Sequence, residues 1–413
     1  MTGEATSREV ERQLACIREG AEQILGEEEL RARLAEAVRG GAPLRVKLGV
    51  DPSAPDLHLG HTVVLNKLRR FQELGHVPIF LIGDFTARIG DPSGKKKTRP
   101  ALDPETVKRN AATYLEQVKL ILDLQRAEIR FNGEWMDAMT SSDLVRLCSH
   151  YTVARILERD DFAKRYAAGE PIAVHEFLYP FVQAYDSVAL RADVELGGSD
   201  QRFNLLMARE IQRSYGQPPQ AVVVHPLLVG TDGRDKMSKS LGNTVGITDP
   251  PEDMYGKTMR ISDPLMLDWV ALLAAGEWDD LQEERSRVVR AEGDPLALKQ
   301  ELARRLVARF HGEASAEQAA ARFRRTVQER ALPEELPEVR IPLGPEGWLR
   351  IAKVMEAARL VASGTEARNL VASGGVYLDG RRIQDLGTQV GPGSYVLQVG
   401  RRKFARIHLI SGG

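Results

Sequence analysis

Cysteine is nearly absent: Cys16 and Cys148 are the two in 413 residues. Neither stands in a metal-like spacing, which argues against a disulfide framework and against a zinc site. Long apolar runs are absent too, so nothing here reads as a bilayer span. The opening stretch SREVERQLACIREGAEQIL is charged and amphipathic and lacks the apolar heart of a secretion signal. The expectation is a cytoplasmic protein with no membrane attachment. Net charge is missing as well: 57 Lys/Arg meet 58 Asp/Glu, for −1 overall. Nothing global therefore advertises nucleic acid. No internal repeat or low-complexity tract is seen.

What is there suits an ordinary globular chain, 43% hydrophobic and 28% charged, long enough for two or three cores. The charge is uneven. Pro345 to Gly413 holds ten Lys/Arg against five Asp/Glu, an excess of five that leaves −6 for the rest of a chain whose total is −1. A basic tail behind an acidic body suggests an RNA-binding appendage, or simply a solvated basic face.

Residues 1–43 read as a helical lead-in. Residues 44–246 alternate strands with helices: Leu44 to Val50, Val77 to Ile82, Ile129 to Asn132, Val194 to Leu196 and Ala221 to Val224 read as strands, 62–74 as a helix stopping at Gly75. Such alternation predicts a parallel sheet wrapped by helices, with ligands outside the C-terminal strand ends, where Asp51, Asp91 and Gly197-Gly198 fall. A long helical stretch, about 104–190, reads as an insertion. Residues 247–331 are nearly all helix, and 332–346 a proline-stiffened linker. Residues 347–413 begin with a helix from Trp348 to Val361. A short helix capped by Thr365 follows, then strands with a hairpin at Asp379-Gly380 and a turn at Gly400.

Two segments carry the chemistry. His58-Leu59-Gly60-His61 stands where a strand turns into a helix. There Gly60 admits a flat purine, the helix N-terminus favours phosphate, and two imidazoles can donate to phosphate oxygens. Ser53 adds a hydroxyl on the same loop. Taken alone, four such residues could equally be an idle surface turn. Lys236-Met237-Ser238-Lys239-Ser240 lies in a loop flanked by glycines, a mobile lid whose lysines can hold pyrophosphate. Gly90-Asp91-Pro92-Ser93-Gly94-Lys95 is not a Walker loop, because only three residues separate its glycines and Lys96 replaces the magnesium-binding hydroxyl. Asp91 could still bind an ammonium, and Lys95 and Arg99 could reach phosphates. Tyr179, Gln183 and Asp186 share one helix face, a polar stripe that suits a pocket lining. A core tyrosine is the plainer alternative. Gly197-Gly198-Ser199-Asp200-Gln201 follows a strand, with Asp200 placed for a ribose.

In this order the segments resemble the class I aminoacyl-tRNA synthetases, most closely the bacterial tyrosyl-tRNA synthetases. HLGH is similar to that family's HIGH signature, with Leu59 for isoleucine, and KMSKS is intact. The resemblance implies a Rossmann-like catalytic domain with a helical insertion, an all-helical anticodon-binding domain and a small C-terminal α+β RNA-binding module. It implies ATP contacts for Ser53, His58, Gly60, His61, Gly198 and Asp200, pyrophosphate contacts for Lys236 and Lys239, and phosphate contacts for Lys95 and Arg99. For L-tyrosine it implies Asp91, Tyr179 and Gln183 near the amino group, Gln201 near the carboxylate and Asp186 on the phenol. Many relatives carry a second phenol-binding tyrosine where this chain has Lys47.

The tail resembles an RNA-binding module of a small-subunit ribosomal protein. That implies tRNA(Tyr) contacts for Arg368, Arg381, Arg382, Arg401, Arg402 and Lys403, and Asp263 is the expected anticodon reader. ATP with Mg2+, tyrosine and tRNA(Tyr) are the expected partners, no bound metal is expected of the protein itself, and a homodimer is implied. Three rivals stand beside this reading: a tryptophanyl-tRNA synthetase, a small-molecule nucleotidyltransferase, and a non-catalytic RNA-binding or splicing helper on the same fold.

Overall fold

The computed structural model describes residues 3–92, 103–325, 336–400 and 403–411. Two compact units result, Met1–Ala320 and Ala321–Gly413. The first is built on a six-stranded sheet: β1 (Gln23–Leu25), β2 (Arg45–Val50), β3 (Val77–Ile82), β4 (Glu128–Phe131), β5 (Val194–Gly198) and β6 (Ala221–His225), in the order β1-β6-β5-β2-β3-β4. Five strands are parallel, and β1 joins β6 antiparallel at the edge. The chain runs outward through β2, β3 and β4, then returns to the other side of β2 for β5 and β6. The order reverses between β2 and β5, which opens a crevice beyond their C-terminal ends.

Strand positions follow the apolar runs. β3 and β6 are buried almost throughout, as befits strands covered on both faces. β2 alternates apolar with polar residues, a pattern that suits a half-buried strand. Lys47 is nevertheless fully buried, because this central strand is covered on both sides and Lys47 meets a carboxylate on β5. The lead-in is not purely helical. Between helices Gly3–Arg18 and Glu27–Val38, three residues too few for a period signal pair with β6.

Helices Pro251–Arg260, Asp263–Leu273, Asp279–Val289 and Pro295–His311 follow the sheet in the same unit, and helix Glu313–Phe323 begins there. Trp269, fully buried, donates to the Val229 carbonyl at 2.9 Å, and Arg309 donates to Asn66 at 2.7 Å. These contacts seat the helical segment at the base of the KMSKS loop and on the helix that follows HLGH.

The second unit holds a five-stranded sheet, ordered β10-β9-β12-β13-β7, and a two-stranded one. Its strands are β7 (Glu338–Leu343), β8 (Leu349–Arg350), β9 (Val376–Leu378), β10 (Arg381–Arg382), β11 (Gln389–Val390), β12 (Gly393–Val399) and β13 (Lys403–Ser411). β7 corrects the linker reading. Its Pro342 suggests a spacer, but β7 is an edge strand, where a missing N–H costs no ladder bond. Helix Ile351–Ala357 begins later than Trp348, since Leu349–Arg350 pair with β11. Helix Gly364–Ala372 is capped by Ser363, not Thr365: the Ser363 hydroxyl accepts from the Glu366 N–H. The Asp379-Gly380 turn joins β9 to β10 as expected, both residues at positive φ.

Candidate active site

The crevice at the β2/β5 switch point is a cavity of about 580 Å³, the size of a small-ligand site. HLGH and KMSKS meet over it. The chain just after KMSKS pairs with the chain entering HLGH: Leu59 N–H donates to the Val245 carbonyl at 3.0 Å, and Ile247 N–H to the Leu57 carbonyl at 3.1 Å. A Cβ on Gly60 would stand 3.0 Å from the His58 ring, which would have to give way, and 3.6 Å from the Met237 Cβ, an ordinary contact. Lys239 forms an ion pair with Asp56, and Lys236 with Asp200 at 2.5 Å. Ser53, exposed, and Gly198 also line the cavity.

The histidines cap helix Leu59–Glu73 with their Nδ1 atoms. His58 Nδ1 accepts the Gly60 N–H and His61 Nδ1 accepts the His58 N–H, both at 3.2 Å. Burial pushes His58 down to about 2 and His61 to about 4, with the Lys239 charge acting the same way on both. Both rings are therefore neutral at pH 7, and their single protons sit on Nε2. Each can donate one hydrogen bond without itself being a cation.

Helix Val174–Leu190 supplies the polar stripe. Tyr179 donates its hydroxyl to Asp51 at 2.9 Å, and Thr86 donates to the other Asp51 oxygen at 2.7 Å. Burial, then the charges of Asp51 and Asp91, raise the Tyr179 phenol well above its usual range. Tyr179 thus stays a neutral donor toward Asp51, and its oxygen can accept from a cation. Asp91 accepts from Gln201 at 2.9 Å and faces Arg159 at 3.5 Å. Asn204 donates to both the Gln183 and Gln201 amide oxygens, at 2.8 and 2.9 Å, and so orients both amides.

Asp186 lies deepest. Trp135 Nε1 donates to it at 2.9 Å and Asn132 at 3.4 Å. Burial pushes its carboxyl up to about 7, against the pull of Lys47 and these two hydrogen bonds. A hydroxylated ring reaching this floor would meet a hydrogen-bonding carboxyl that a bare ring could not satisfy.

The geometry agrees with the comparisons. The family described as tRNA synthetases class I (W and Y) matches residues 39–328, and an S4 domain matches 349–396. The chain belongs to the class I tRNA synthetases of the tryptophan and tyrosine type. It is 51% identical over 401 residues to the tyrosine–tRNA ligase of Bordetella avium, covering 97% of each chain. It is 52% identical to that of Thiobacillus denitrificans, covering 97% of this chain and 100% of the relative. Among solved structures, the tyrosyl-tRNA synthetase of Archaeoglobus fulgidus, complexed with L-tyrosine, shares the fold at TM-score 0.61 and 24% identity, over 75% of this chain and 99% of that one. A truncated mitochondrial tyrosyl-tRNA synthetase of Coccidioides posadasii does so at 0.60 and 23%, over 77% and 95%.

Within this class I synthetase, the cavity gathers Ser53, His58, Gly60, His61, Asp91, Tyr179, Gln183, Asp186, Gly198, Asp200, Gln201, Lys236 and Lys239, all anticipated from sequence. Lys95, Arg99, Arg401 and Arg402 lie outside the described residues. Asp263 opens helix Asp263–Leu273 and pairs with Lys299 at 2.5 Å, its own side chain largely exposed. Arg368, Arg381 and Arg382 are exposed on the S4 unit, and Lys403 donates to the Leu360 carbonyl at 2.8 Å. Sequence reasoning did not find Asp56, Thr86, Asn132, Trp135, Arg159, Glu195 and Asn204. Asp51 was visible only as a carboxylate ending a strand.

Proposed function

We propose that the chain is a tyrosine–tRNA ligase that works in two steps. The tyrosine carboxylate oxygen attacks the α-phosphorus of ATP. The bond from that phosphorus to the bridging oxygen breaks, and pyrophosphate leaves as tyrosyl-adenylate forms. A hydroxyl of the terminal adenosine of tRNA(Tyr) then attacks the tyrosyl carbonyl, and AMP departs. No side chain becomes covalently attached. The rate comes from alignment and from fixed donors aimed at growing charge.

The observation that carries this reading is one cavity with cations and neutral imidazoles at its mouth and a buried carboxyl at its floor. Lys236 and Lys239 would exchange Asp200 and Asp56 for phosphate oxygens, freeing Asp200 for the ribose hydroxyls. His58 and His61 would donate from Nε2 to phosphate oxygens, and Lys95 and Arg99 are assigned further phosphate contacts. Asp91, Tyr179 and Gln183 would surround the tyrosine ammonium, with Gln201 beside the carboxylate. Asp186 would accept the phenol. Magnesium would enter with ATP, held by its phosphates.

The helical segment 247–331 would meet the anticodon, with Asp263 reading a base, and the S4 unit would hold the tRNA backbone through Arg368, Arg381, Arg382, Arg401, Arg402 and Lys403. A homodimer is proposed through the 104–190 region, where Val145, Val153, Tyr166 and Val174 are exposed; a monomeric mass by light scattering would remove it. The proposed compartment is the cytoplasm, where translation consumes charged tRNA. ATP–pyrophosphate exchange with each amino acid in turn tests the main reading. Exchange with tyrosine alone is expected. Exchange with tryptophan alone, or with none, overturns it.

A further inference from the structure

Lys47 and Glu195 face each other across β2 and β5, paired in register, with Nζ 2.8 Å from the carboxylate and both side chains almost wholly buried. They line the cavity beside Asp186. Lys47 also donates to the Ser187 hydroxyl at 2.7 Å and to the Gln183 carbonyl at 3.4 Å. Ser187 in turn donates to Glu195 at 3.1 Å, and Gln220 donates to the same carboxylate. The pair thus grips the helical turn that carries Gln183 and Asp186. Isolated buried charges are costly, and a hydrophobic pair at these positions would fill the same space without that cost. Something other than stability accounts for them.

We propose that the Lys47–Glu195 pair is a positioning element for Asp186, tying its helix turn to the sheet and keeping its carboxylate ready to accept a phenol hydroxyl. The inference rests on the ligase reading above and names the specificity device of that site. Among the described residues, the charged and titratable groups around Asp186 are few. Lys47 comes from β2, Asp51 from the loop directly after it, Glu195 from β5 and Tyr179 from its own helix. From the β4 side, Arg130 lies over the Trp135 ring that bonds it. Lys47 is the strongest charge acting on Asp186 and favours the ionised form, while Glu195 opposes it more weakly.

The two partners therefore make opposite predictions, which a purely structural pair would not. Tyrosine KM and kcat in pyrophosphate exchange, followed from about pH 5 to about pH 9, should show an acid limb as Asp186 gains its proton. Lys47→Gln should move that limb to higher pH and weaken tyrosine binding at neutral pH by roughly tenfold for each unit moved. Glu195→Gln should move it to lower pH. Limbs that stay in place, or that move the same way in both variants, overturn the proposal even if both proteins are less stable. Should either single variant fail to fold, Lys47→Gln/Glu195→Gln carries no net charge change, and its limb should lie above the wild-type one; a coincident limb overturns the proposal. A wild-type protein with no tyrosine-dependent exchange removes the ligase reading and this inference together, whereas normal wild-type exchange with unmoved limbs removes this inference alone.

Discussion

The mouth and the floor of the cavity use the same chemistry, lysine against carboxylate, in opposite ways. At the mouth Lys236 and Asp200 are 40% and 24% exposed, and Lys239 and Asp56 are 30% and 46% exposed. At the floor Lys47 and Glu195 are 1% and 2% exposed. Solvated pairs contribute about 0–1 kcal/mol, so the mouth lysines can leave their carboxylates for a phosphate at little cost. Breaking a buried pair by removing one partner costs about 3–5 kcal/mol, so the floor lysine stays. A cation that must move is held weakly, and one that must not is walled in. On the proposed function, rate would belong to the mouth and choice of substrate to the floor.

The largest test strikes the floor. Tyrosyl-tRNA synthetases are the known reference case for rejecting phenylalanine by about 10⁵ through a hydrogen-bonded hydroxyl, a figure not read from this chain. Asp186→Ala should bring the tyrosine-to-phenylalanine ratio of kcat/KM down to no more than about 10²; an undiminished ratio would separate the floor from selectivity. Asp186→Asn adds a pH signature. An unfolded aspartate releases its proton near pH 3.9, whereas folded Asp186 holds it to about 7. The folded state binds the extra proton between those values. Stability therefore falls as pH rises from about 4 to about 7, and the loss is complete above that. In urea, Asp186→Asn should exceed the wild type by a few kcal/mol at pH 8, with the gap closing toward pH 4. A gap independent of pH would mean that Asp186 is not held protonated.

Next comes Lys47→Met, which strands Glu195 and should cost about 3–5 kcal/mol in urea unfolding. A cost near zero would erase the contrast between floor and mouth. The same contrast explains what was legible in the sequence. HLGH and KMSKS were legible because each is a contiguous motif, one at a helix N-terminus and one in a loop, as the proposed phosphate contacts would require. Tyr179, Gln183 and Asp186 were legible because helical spacing puts them on one face. The rest of the floor was not. Trp135 and Asn132 come from the turn after β4 and Glu195 from β5, and only the sheet order brings them to Asp186. Lys47 looked like the polar half of an alternating strand, since alternation does not reveal a second covering layer. β7 was hidden by its proline, which only an edge position excuses.

At the mouth, Lys239→Ala should slow adenylate formation by about 10²–10³, the usual effect of losing one donor to transition-state charge. Tyrosine affinity in single-turnover experiments should be unchanged, because Lys239 is proposed to act at the phosphate end. A proportionate loss of tyrosine binding would place it on the wrong side of the reaction.

The smallest expected effect discriminates best. Asp56 holds Lys239 in the free protein and has no other assigned work. If the pair is a resting place, Asp56→Asn should change stability by no more than about 1 kcal/mol. It should lower the KM for ATP a few-fold at most, because Lys239 then has no anion to leave before it meets phosphate. The rate of adenylate formation at saturating ATP should hold, since the pair is already broken in the transition state. A loss of several kcal/mol, or a fall in that saturated rate, would show that this exposed pair is locked like the buried one. Mouth and floor would then differ only in depth, and the division of rate from selectivity would fail.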